Sequence, residues 1–529
     1  MSIFDVAVLV IYILGMLAIS LRVGKTNKTQ EDYFVGGRSM PFIPVACSIA
    51  ASTISANGMI GGAGWAYTSG FSSFMLQFSI PLVLVLSCNY VVPFMYNLKL
   101  TSCYEYVEMR FGKMSHILAC FGYLFTAVTL LSGFVYIPSL IIQQMTGWSL
   151  GMIVPIIVVV VIVYTMAGGI KAVIWTDAIQ IVVLWIGMFA VMLIPFSKTG
   201  MSLTQVMDNA QAAGLLNALN FSGDLALENG FWVALLGGAA MWLQYFAADQ
   251  TQLQRMLSTK SVKDLKVSIV SGGIIMNVML FIFAFTGLIL YSFYDGQPFD
   301  SANQVMITFI LENIPVGLLG LIISAVFAAA MSSIDSVLNS MTTVFVRDIY
   351  EKYLHKGHGE TPLKATIGFT GIFGVVTIVF VMMGFNGTTA SVLATVGAYA
   401  GYVAGSLLAV FLLGLFTRKA NDIGTSVGFV AGLVATWLAS STSLNWLWYY
   451  LVGAVTAFVV GYVVSCLTGG SREGTGRLTI RGQREELIAQ GHTEENGMSI
   501  LPGEMDKFGW ILVVFFAVQF VVLFAFTKF

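Results

Sequence analysis

The chain has 529 residues, of which 57% are hydrophobic and only 10% are charged, and its formal net charge is −1. Apolar runs of about 20 residues recur along it, the length that crosses the hydrocarbon core of a bilayer. A chain in lipid must satisfy its backbone hydrogen bonds internally, so this composition predicts an all-α polytopic membrane protein. A nucleic-acid-binding protein is excluded because neither a net positive charge nor a basic patch is present.

Hydropathy predicts fourteen transmembrane helices. The first begins within MSIFDVAVLV, which has no basic region before it and no small-residue cleavage site after it, so we expect a retained span rather than a signal peptide. The predicted spans lie near 4–23, 42–68, 71–98, 115–145, 148–167, 174–196, 230–257, 265–294, 316–349, 362–384, 389–417, 421–441, 444–468 and 508–527.

Lysine and arginine residues are concentrated in every second predicted loop. Of the 25 lysines and arginines, all but Lys198 and Lys528 fall on one side of the membrane in this arrangement. The positive-inside rule therefore places that side in the cytoplasm and both termini outside, in a multi-pass protein of the plasma (inner) membrane. The five cysteines show no CxxC spacing and the four histidines show no ligand spacing among themselves, so we expect structural or incidental roles for all nine rather than a metal or redox site.

Two predicted spans are interrupted by glycines and polar residues. The span at 42–68 contains ASTISANGMIGGAGW, and the span at 230–257 contains GGAAMWLQYFAADQTQ. One interpretation is close helix packing through small residues. The other is a matched pair of broken helices that open two inverted repeats and mark a binding site at mid-membrane. Five spans begin with each member of the pair, which indicates a peripheral first helix, repeats over 42–196 and 230–417, and additional C-terminal helices over 421–527.

A polar run, FAAAMSSIDSVLNS, lies inside the apolar span at 316–349. On a helix, Ser332, Asp335 and Ser336 share one face, about 18 Å from Arg347 along the axis and therefore near mid-bilayer. No lysine or arginine precedes Arg347 in this span, and hydroxyl and carboxylate oxygens suit a hard monovalent cation. The alternative is that the serines bond their own helix while Asp335 is protonated.

Asp177, in GGIKAVIWTDAIQ, is a second candidate for binding a cation within the membrane. It falls in the first turns of the span at 174–196. The alternative is that its carboxylate stabilises the N-terminus of that helix.

Six motifs resemble those of the sodium:solute symporter family, which includes sodium/galactose, sodium/proline, sodium/pantothenate and sodium/sialic acid transporters. The resemblance implies a fold of the leucine-transporter type, with a five-plus-five inverted-repeat core, and sodium-coupled transport. The motifs are DYFVGGR at 32–38, YEYVEMRFG at 104–112, AGGIKAVIWTDAIQ at 167–180, DQTQLQRMLS at 249–258, AAAMSSIDSVLNS at 328–340 and FLLGLFTRK at 411–419.

The resemblance also implies two cation sites. The first, a sodium site, consists of the backbone carbonyls of Ala51, Ile54 and Ala329 with the hydroxyls of Ser332 and Ser333. The second consists of Asp177, Ser332, Asp335 and Ser336. Asp335 departs from the family pattern, in which serine or threonine is usual. Either one of the two carboxylates is then protonated, or a proton replaces the second sodium.

Neither the sugar-binding nor the sialic-acid-binding ligand set of the family is retained. The matching positions carry Gly58, Gln77, Asp249 and Gly397, and Leu130 stands where the sialic acid transporter has an arginine. We expect neutral hydrogen-bonding and aromatic side chains to bind the solute: Thr53, Ser55, Asn57, Gln77, Trp242, Gln244 and Tyr245. Asp249 is expected to act as a gate or to pair with Arg255.

These features predict a sodium-coupled symporter that imports a small polar solute by alternating access, using one or two sodium ions. The solute classes left open are sugars, sialic-acid-like molecules, amino acids and carboxylates. The alternative is a proton-coupled or mixed sodium/proton symporter of an organic acid or amino acid. A transporter-like sensor is a more remote alternative, because the loop at 469–507 is too short and too polar to fold as an output domain. We do not expect an enzyme, because the sequence shows neither a nucleophile that can be paired with a base nor a phosphate-binding loop.

Overall fold

The computed structural model describes residues 2–355, 360–384, 392–471 and 474–528, and these residues are mostly helical. The first part of the chain forms α1 (Ile3–Gly24), α2 (Gln30–Val35), α3 (Phe42–Thr53), α4 (Ala56–Ser69), α5 (Ile80–Leu86), α6 (Val92–Leu98), α7 (Cys103–Arg110), α8 (Lys113–Thr146), α9 (Leu150–Thr199) and α10 (Leu203–Ala212). Short 3-10 and π segments connect several of them, at Gly36–Arg38, Gly70–Gln77 and Ser87–Val91.

The second part of the chain forms α11 (Gly238–Ala247), α12 (Gln250–Met256), α13 (Val262–Phe293), α14 (Ala302–Asn313), α15 (Leu318–Val344), α16 (Leu363–Gly384), α17 (Val392–Phe416), α18 (Asp422–Ser440), α19 (Leu447–Leu467), α20 (Ile480–Ala489) and α21 (Lys507–Lys528). π segments precede α11 at Val233–Gly237 and extend α15 at Phe345–Leu354, and a 3-10 turn lies at Thr475–Leu478. An antiparallel hairpin joins β1 (Glu494–Glu495) to β2 (Met498–Ser499), with Glu494 opposite Ser499.

Within the described residues, eleven helical segments are long and apolar enough to cross a membrane. Three shorter apolar helices, Phe42–Thr53, Leu150–Met166 and Val233–Ala247, fall inside other predicted spans. The membrane class and the helical fold are therefore confirmed, while the count of fourteen spans stays a prediction. Part of the predicted span at 389–417 lies outside the described residues.

The two predicted spans at 148–167 and 174–196 are the halves of α9. The helix breaks at Gly169, whose φ of +57° suits glycine, and an added Cβ there would lie 2.7 Å from the Tyr33 carbonyl oxygen. Next to this break the Lys171 Nζ donates to Asp32 Oδ1 at 2.7 Å. That hydrogen bond, together with those from the turn before α2, lowers the pKa of Asp32 to about 2. The close approach at Gly169 and the hydrogen bond from Lys171 therefore hold α9 against α2.

Helix α15 lies at the centre of the bundle rather than against lipid. It packs against α1, α3, α8, α9 and α16, and nearly all of its side chains are buried. By contrast, α1 is mostly exposed, although Asp5 ties it to the start of α15 by accepting the backbone N–H groups of Gly317 and Gly320 at 2.8 and 2.9 Å. The polar run of α15 therefore faces protein.

Several basic residues that indicated topology in the sequence also form buried bonds. Arg110 is buried and donates to backbone carbonyls after α17, including that of Thr417 at 2.7 Å. Lys266 is buried and pairs with Asp506 at 2.6 Å. The segment that contains α20 and the hairpin packs onto the helical bundle, where the Asn97 amide donates to Gln483 Oε1 at 3.0 Å.

Candidate functional site

The first interrupted span is a broken helix. Helix α3 ends at Thr53, and Ile54 has extended backbone angles of φ −86° and ψ 93°. Ser55 then caps α4, its hydroxyl accepting the N–H of Gly58 at 3.3 Å. A break of this kind leaves carbonyls at the end of one half-helix and N–H groups at the start of the other without partners in the helix, so both are available to ligands.

The second interrupted span is also a broken helix. Helix α11 ends at Ala247, and Asp249 caps α12 by accepting the N–H of Thr251 at 2.7 Å. Both segments are therefore broken helices, while the two inverted repeats that they were expected to open stay a prediction. The Tyr245 hydroxyl on α11 reaches the Ser52 carbonyl of α3 at 3.5 Å, so the two breaks are neighbours.

Most groups of the predicted sodium site come together where α15 crosses the end of α3. The Ser332 hydroxyl lies 3.0 Å from the Ala51 carbonyl and 3.2 Å from that of Ala329. The Ser333 hydroxyl lies 3.2 Å from the Ala329 carbonyl and 3.3 Å from the Ser52 carbonyl. The Ser52 carbonyl was not predicted. Ile54 lies at the break itself, and among the described hydrogen bonds of Ser332 and Ser333 its carbonyl is not an acceptor.

One turn further along α15, Asp335 and Ser336 form a second polar cluster. Ser336 donates to the Ser332 carbonyl at 2.5 Å and lies 3.2 Å from Asp335 Oδ1. The other carboxylate oxygen, Oδ2, accepts the Tyr164 hydroxyl of α9 at 2.8 Å. These side chains are fully or almost fully buried. Tyr164 was not among the predicted residues, because it lies 171 positions from Asp335 in the chain.

Asp177 is held by a buried arginine. Its Oδ2 accepts the Ser48 hydroxyl at 2.6 Å and lies 3.4 Å from Arg255 Nη1, which also donates to the Ser48 carbonyl at 2.7 Å. Both charged side chains are 0% exposed. Arg255 was counted among the basic residues on the cytoplasmic side, and Asp249 was expected to act as a gate or to pair with it; the structure instead pairs buried Arg255 with Asp177. Asp249 instead caps α12.

Unpartnered polar atoms lie beside Asp177. Its Oδ1 and both amide atoms of Gln180 are buried without a hydrogen-bond partner among the described residues. Gln180 follows Asp177 by three positions and therefore shares its face of α9. Asp177 and Asp335 each bind other side chains in this structure, so the four predicted groups of the second cation site form two adjoining clusters. Gln180 ends the AGGIKAVIWTDAIQ motif, and Arg255 belongs to the DQTQLQRMLS motif. Both are polar residues within predicted apolar spans, and that polarity is the sequence feature that could have identified them as site residues.

A cavity lies beside both helix breaks. Asp249, which was expected to be a gate or pairing residue, does not line the cavity. Asn57, a predicted substrate residue, belongs to α4, but its side chain lies outside the described part of the structure. The other predicted substrate residues line it: Thr53, Ser55, Gln77, Trp242, Gln244 and Tyr245. Gln77 Oε1 and Gln244 Nε2 are buried without hydrogen-bond partners in the described chain, so both amides can bind a solute.

The walls of the cavity are mainly apolar, a property that was not predicted from the sequence. They include Phe74, Phe134, Leu280, Phe283 and Val396. Among the lining residues that the structure describes, none is an aspartate, glutamate, lysine, arginine or histidine. Three residues at positions matched to family substrate sites also line it: Gly58, Leu130 and Gly397.

Comparison with known proteins agrees with this arrangement. The sodium:solute symporter family model matches residues 33–432. The chain belongs to the sodium:solute symporter family. It is 32% identical to the mouse sodium-coupled monocarboxylate transporter 1, over 81% of this chain and 72% of that one. It is 29% identical to the sodium/sialic acid symporter NanT of Aliivibrio fischeri, over 86% of this chain and 91% of that one.

A solved structure of a Na+-coupled sialic acid symporter, in a substrate-bound outward-open state, has the same fold. It superposes with a TM-score of 0.81 at 26% identity and covers 89% of this chain and 99% of its own. The predictions of a sodium-coupled symporter, of sodium as the coupling ion and of a transporter rather than an enzyme are confirmed by this family membership and by these relatives.

Proposed function

We propose that this symporter imports a small monocarboxylate with an apolar tail. The observation that carries this proposal is the cavity at the helix breaks, which has apolar walls and no basic side chain among its described lining residues. A sugar needs several hydrogen-bond partners around its ring, and a sialic acid carries many hydroxyls, which apolar walls would desolvate without compensation. A monocarboxylate concentrates its polar atoms at one end.

The carboxylate would lie at the first helix break. The start of α4, capped by Ser55, offers unpaired N–H groups and the positive end of the helix dipole. A sodium ion held by the carbonyls of Ala51 and Ala329 and by the hydroxyls of Ser332 and Ser333 would add a full positive charge nearby. Since the ion supplies the charge, no arginine is needed at the position of Leu130. The solute and sodium therefore stabilise each other's binding, which is the basis of coupling.

The apolar tail would lie between the aromatic and aliphatic walls, with the Gln77 and Gln244 amides available to substituents near the carboxylate. Burial of a methylene group contributes about 0.8 kcal/mol, so each methylene that the cavity accommodates should raise affinity by roughly fourfold. The mouse relative named a sodium-coupled monocarboxylate transporter supports this solute class, which is one of those left open by the sequence.

The second cation site would hold either a second sodium or a proton. If Asp177, Asp335 and Arg255 are all ionised, two negative charges face one positive charge in a fully buried region. One monovalent cation would balance the remaining charge, and the unpartnered Asp177 Oδ1 and Gln180 Oε1 are oxygens that could bind it.

Alternating access would come from movement between two five-helix repeats over 42–196 and 230–417, within a fourteen-span fold of the leucine-transporter type. The peripheral first helix at 4–23 and the helices over 421–527 would flank this core. The same scheme places the protein in the plasma (inner) membrane with both termini outside. Accessibility of single cysteines introduced near each terminus to an impermeant reagent in intact cells would test this orientation.

The test is uptake into proteoliposomes that contain the purified protein, with a sodium gradient and with a matched potassium gradient. The panel comprises straight-chain monocarboxylates of increasing length, a sialic acid, galactose and proline. We expect concentrative, sodium-dependent uptake of the monocarboxylates, with affinity rising along the series until the cavity is full. Sodium-driven uptake of galactose, proline or sialic acid in preference to every monocarboxylate would overturn the proposed solute class.

A further inference from the structure

A group of potential metal ligands lies apart from the transport cavity, at the start of α8. His116 and Cys120 are one turn apart on that helix, and Asp348 lies in the π segment that extends α15. One ligand atom from each residue lies within 4.8 Å of the others. All three side chains are buried. The spacing of four places His116 and Cys120 on one face of α8, whereas only structural or incidental roles were expected of the histidines and cysteines from the sequence.

The contacts inside this group leave one carboxylate oxygen without a hydrogen-bond partner among the described residues. His116 Nε2 lies 3.1 Å from Asp348 Oδ1, but Asp348 Oδ2 is buried without a hydrogen-bond partner among the described residues. Cys120 is a free thiol. A buried carboxylate oxygen without a hydrogen bond is costly, so Asp348 Oδ2, close to a histidine nitrogen and a thiol, would be stabilised by binding a cation.

We propose that His116, Cys120 and Asp348 bind a thiophilic divalent cation such as Zn²⁺. Imidazole nitrogen, thiolate sulfur and carboxylate oxygen are the three ligand types that zinc takes in proteins, and three protein ligands leave a fourth tetrahedral position for water. Binding converts the Cys120 thiol to a thiolate and releases its proton to solvent. Thiolate and carboxylate together then balance the charge of the metal.

Neighbouring residues are suited to this role. The Tyr353 hydroxyl lies 2.8 Å from His116 Nδ1, so it can accept the proton of that nitrogen and leave Nε2 free for the metal. Lys352 Nζ lies 3.5 Å from Asp348 Oδ1 and would be repelled by a metal, but it also pairs with Glu108. The ammonium group therefore keeps a carboxylate partner when Asp348 turns to the cation.

A metal at this site would link α8 to α15, the helix that carries Ser332 and Ser333. Transport by alternating access requires helices of the two repeats to move relative to each other. A link between these helices would oppose that movement. Zinc binding should therefore slow sodium-driven uptake.

The test uses the full-length protein in detergent, with Cys466→Ser as the parent because Cys466 is exposed and could bind metal alone. Cadmium is titrated while the ultraviolet charge-transfer absorption of cadmium thiolate is measured, and zinc is then added as a competitor. We expect one cadmium ion per chain, displacement by zinc, and loss of the band in Cys120→Ser. Asp348→Asn should weaken cadmium binding at least tenfold while keeping a side chain of the same shape.

Absence of the band in the parent protein, or its persistence in Cys120→Ser, would overturn the proposed site. Cys88→Ser is the matched control because Cys88 is also a buried free thiol and lies outside the cluster; loss of the band in this variant would equally count against the assignment. Zinc should slow uptake by the parent protein in proteoliposomes and leave uptake by Cys120→Ser unchanged. Equal slowing of both would show that zinc acts elsewhere.

Discussion

Ser333→Ala tests the sodium site most directly. The substitution removes a hydroxyl that lies 3.2 Å from the Ala329 carbonyl and 3.3 Å from the Ser52 carbonyl, and it changes little volume. Loss of one coordinating oxygen from a buried site costs about 1 to 3 kcal/mol. The expected result is a decrease in sodium affinity of about 5-fold to 150-fold.

Thermal unfolding over a sodium titration measures this change without knowledge of the solute. A ligand present at 100 times its Kd stabilises the folded state by about 2.7 kcal/mol, and a tenfold weaker ligand at the same concentration by about 1.4 kcal/mol. The sodium-dependent rise in melting temperature should therefore fall by about half for a tenfold loss of affinity. Potassium titrations at equal ionic strength separate specific binding from a general salt effect.

Ser324→Ala is the matched control. Ser324 is also buried on α15, but its hydroxyl donates to the Gly320 carbonyl of the same helix at 2.8 Å, away from the break in α3. Its removal should leave the sodium titration unchanged. An unaltered sodium half-saturation in Ser333→Ala, or an equal shift in Ser324→Ala, would refute the assignment of this site.

Three further predictions concern the cavity and the buried charges. Gln77→Ala should weaken solute affinity by about 1 kcal/mol and leave sodium affinity in the absence of solute unchanged. Gln519→Ala is the control, because it alters a buried glutamine outside the cavity, and a change in sodium affinity alone in Gln77→Ala would contradict the assignment of Gln77 to the substrate site. Arg255→Met should lower the free energy of unfolding by about 3 to 5 kcal/mol, because the buried Asp177 carboxylate loses its positively charged partner. An unfolding free energy equal to that of the wild type would contradict this prediction. Asp335→Ser should keep sodium-dependent uptake, but the uptake rate should vary less between about pH 5.5 and 8.5, because one titratable group is removed. A pH profile identical to that of the wild type would show that Asp335 does not take part in coupling.

The sequence alone was sufficient to predict the membrane class, most of the long apolar helices and the two segments in which helices could break. These are local properties, because hydropathy over about 20 residues decides whether a segment enters lipid, and a cluster of glycines and polar residues decides where a helix in lipid is interrupted. The arrangement of Ser332, Asp335 and Ser336 on one face of α15 was equally accessible, because helical periodicity alone determines it.

Only the tertiary structure decided what these groups contact. Arg255 lies on Asp177, and Tyr164 lies on Asp335, because helices distant in the chain cross at those points. The apolar walls of the cavity and the approach of Asp348 to His116 also depend on such crossings. Hydropathy treats every apolar residue of a span alike, whether it meets lipid, another helix or a solute, so the solute-binding surface emerges only when the helices are packed.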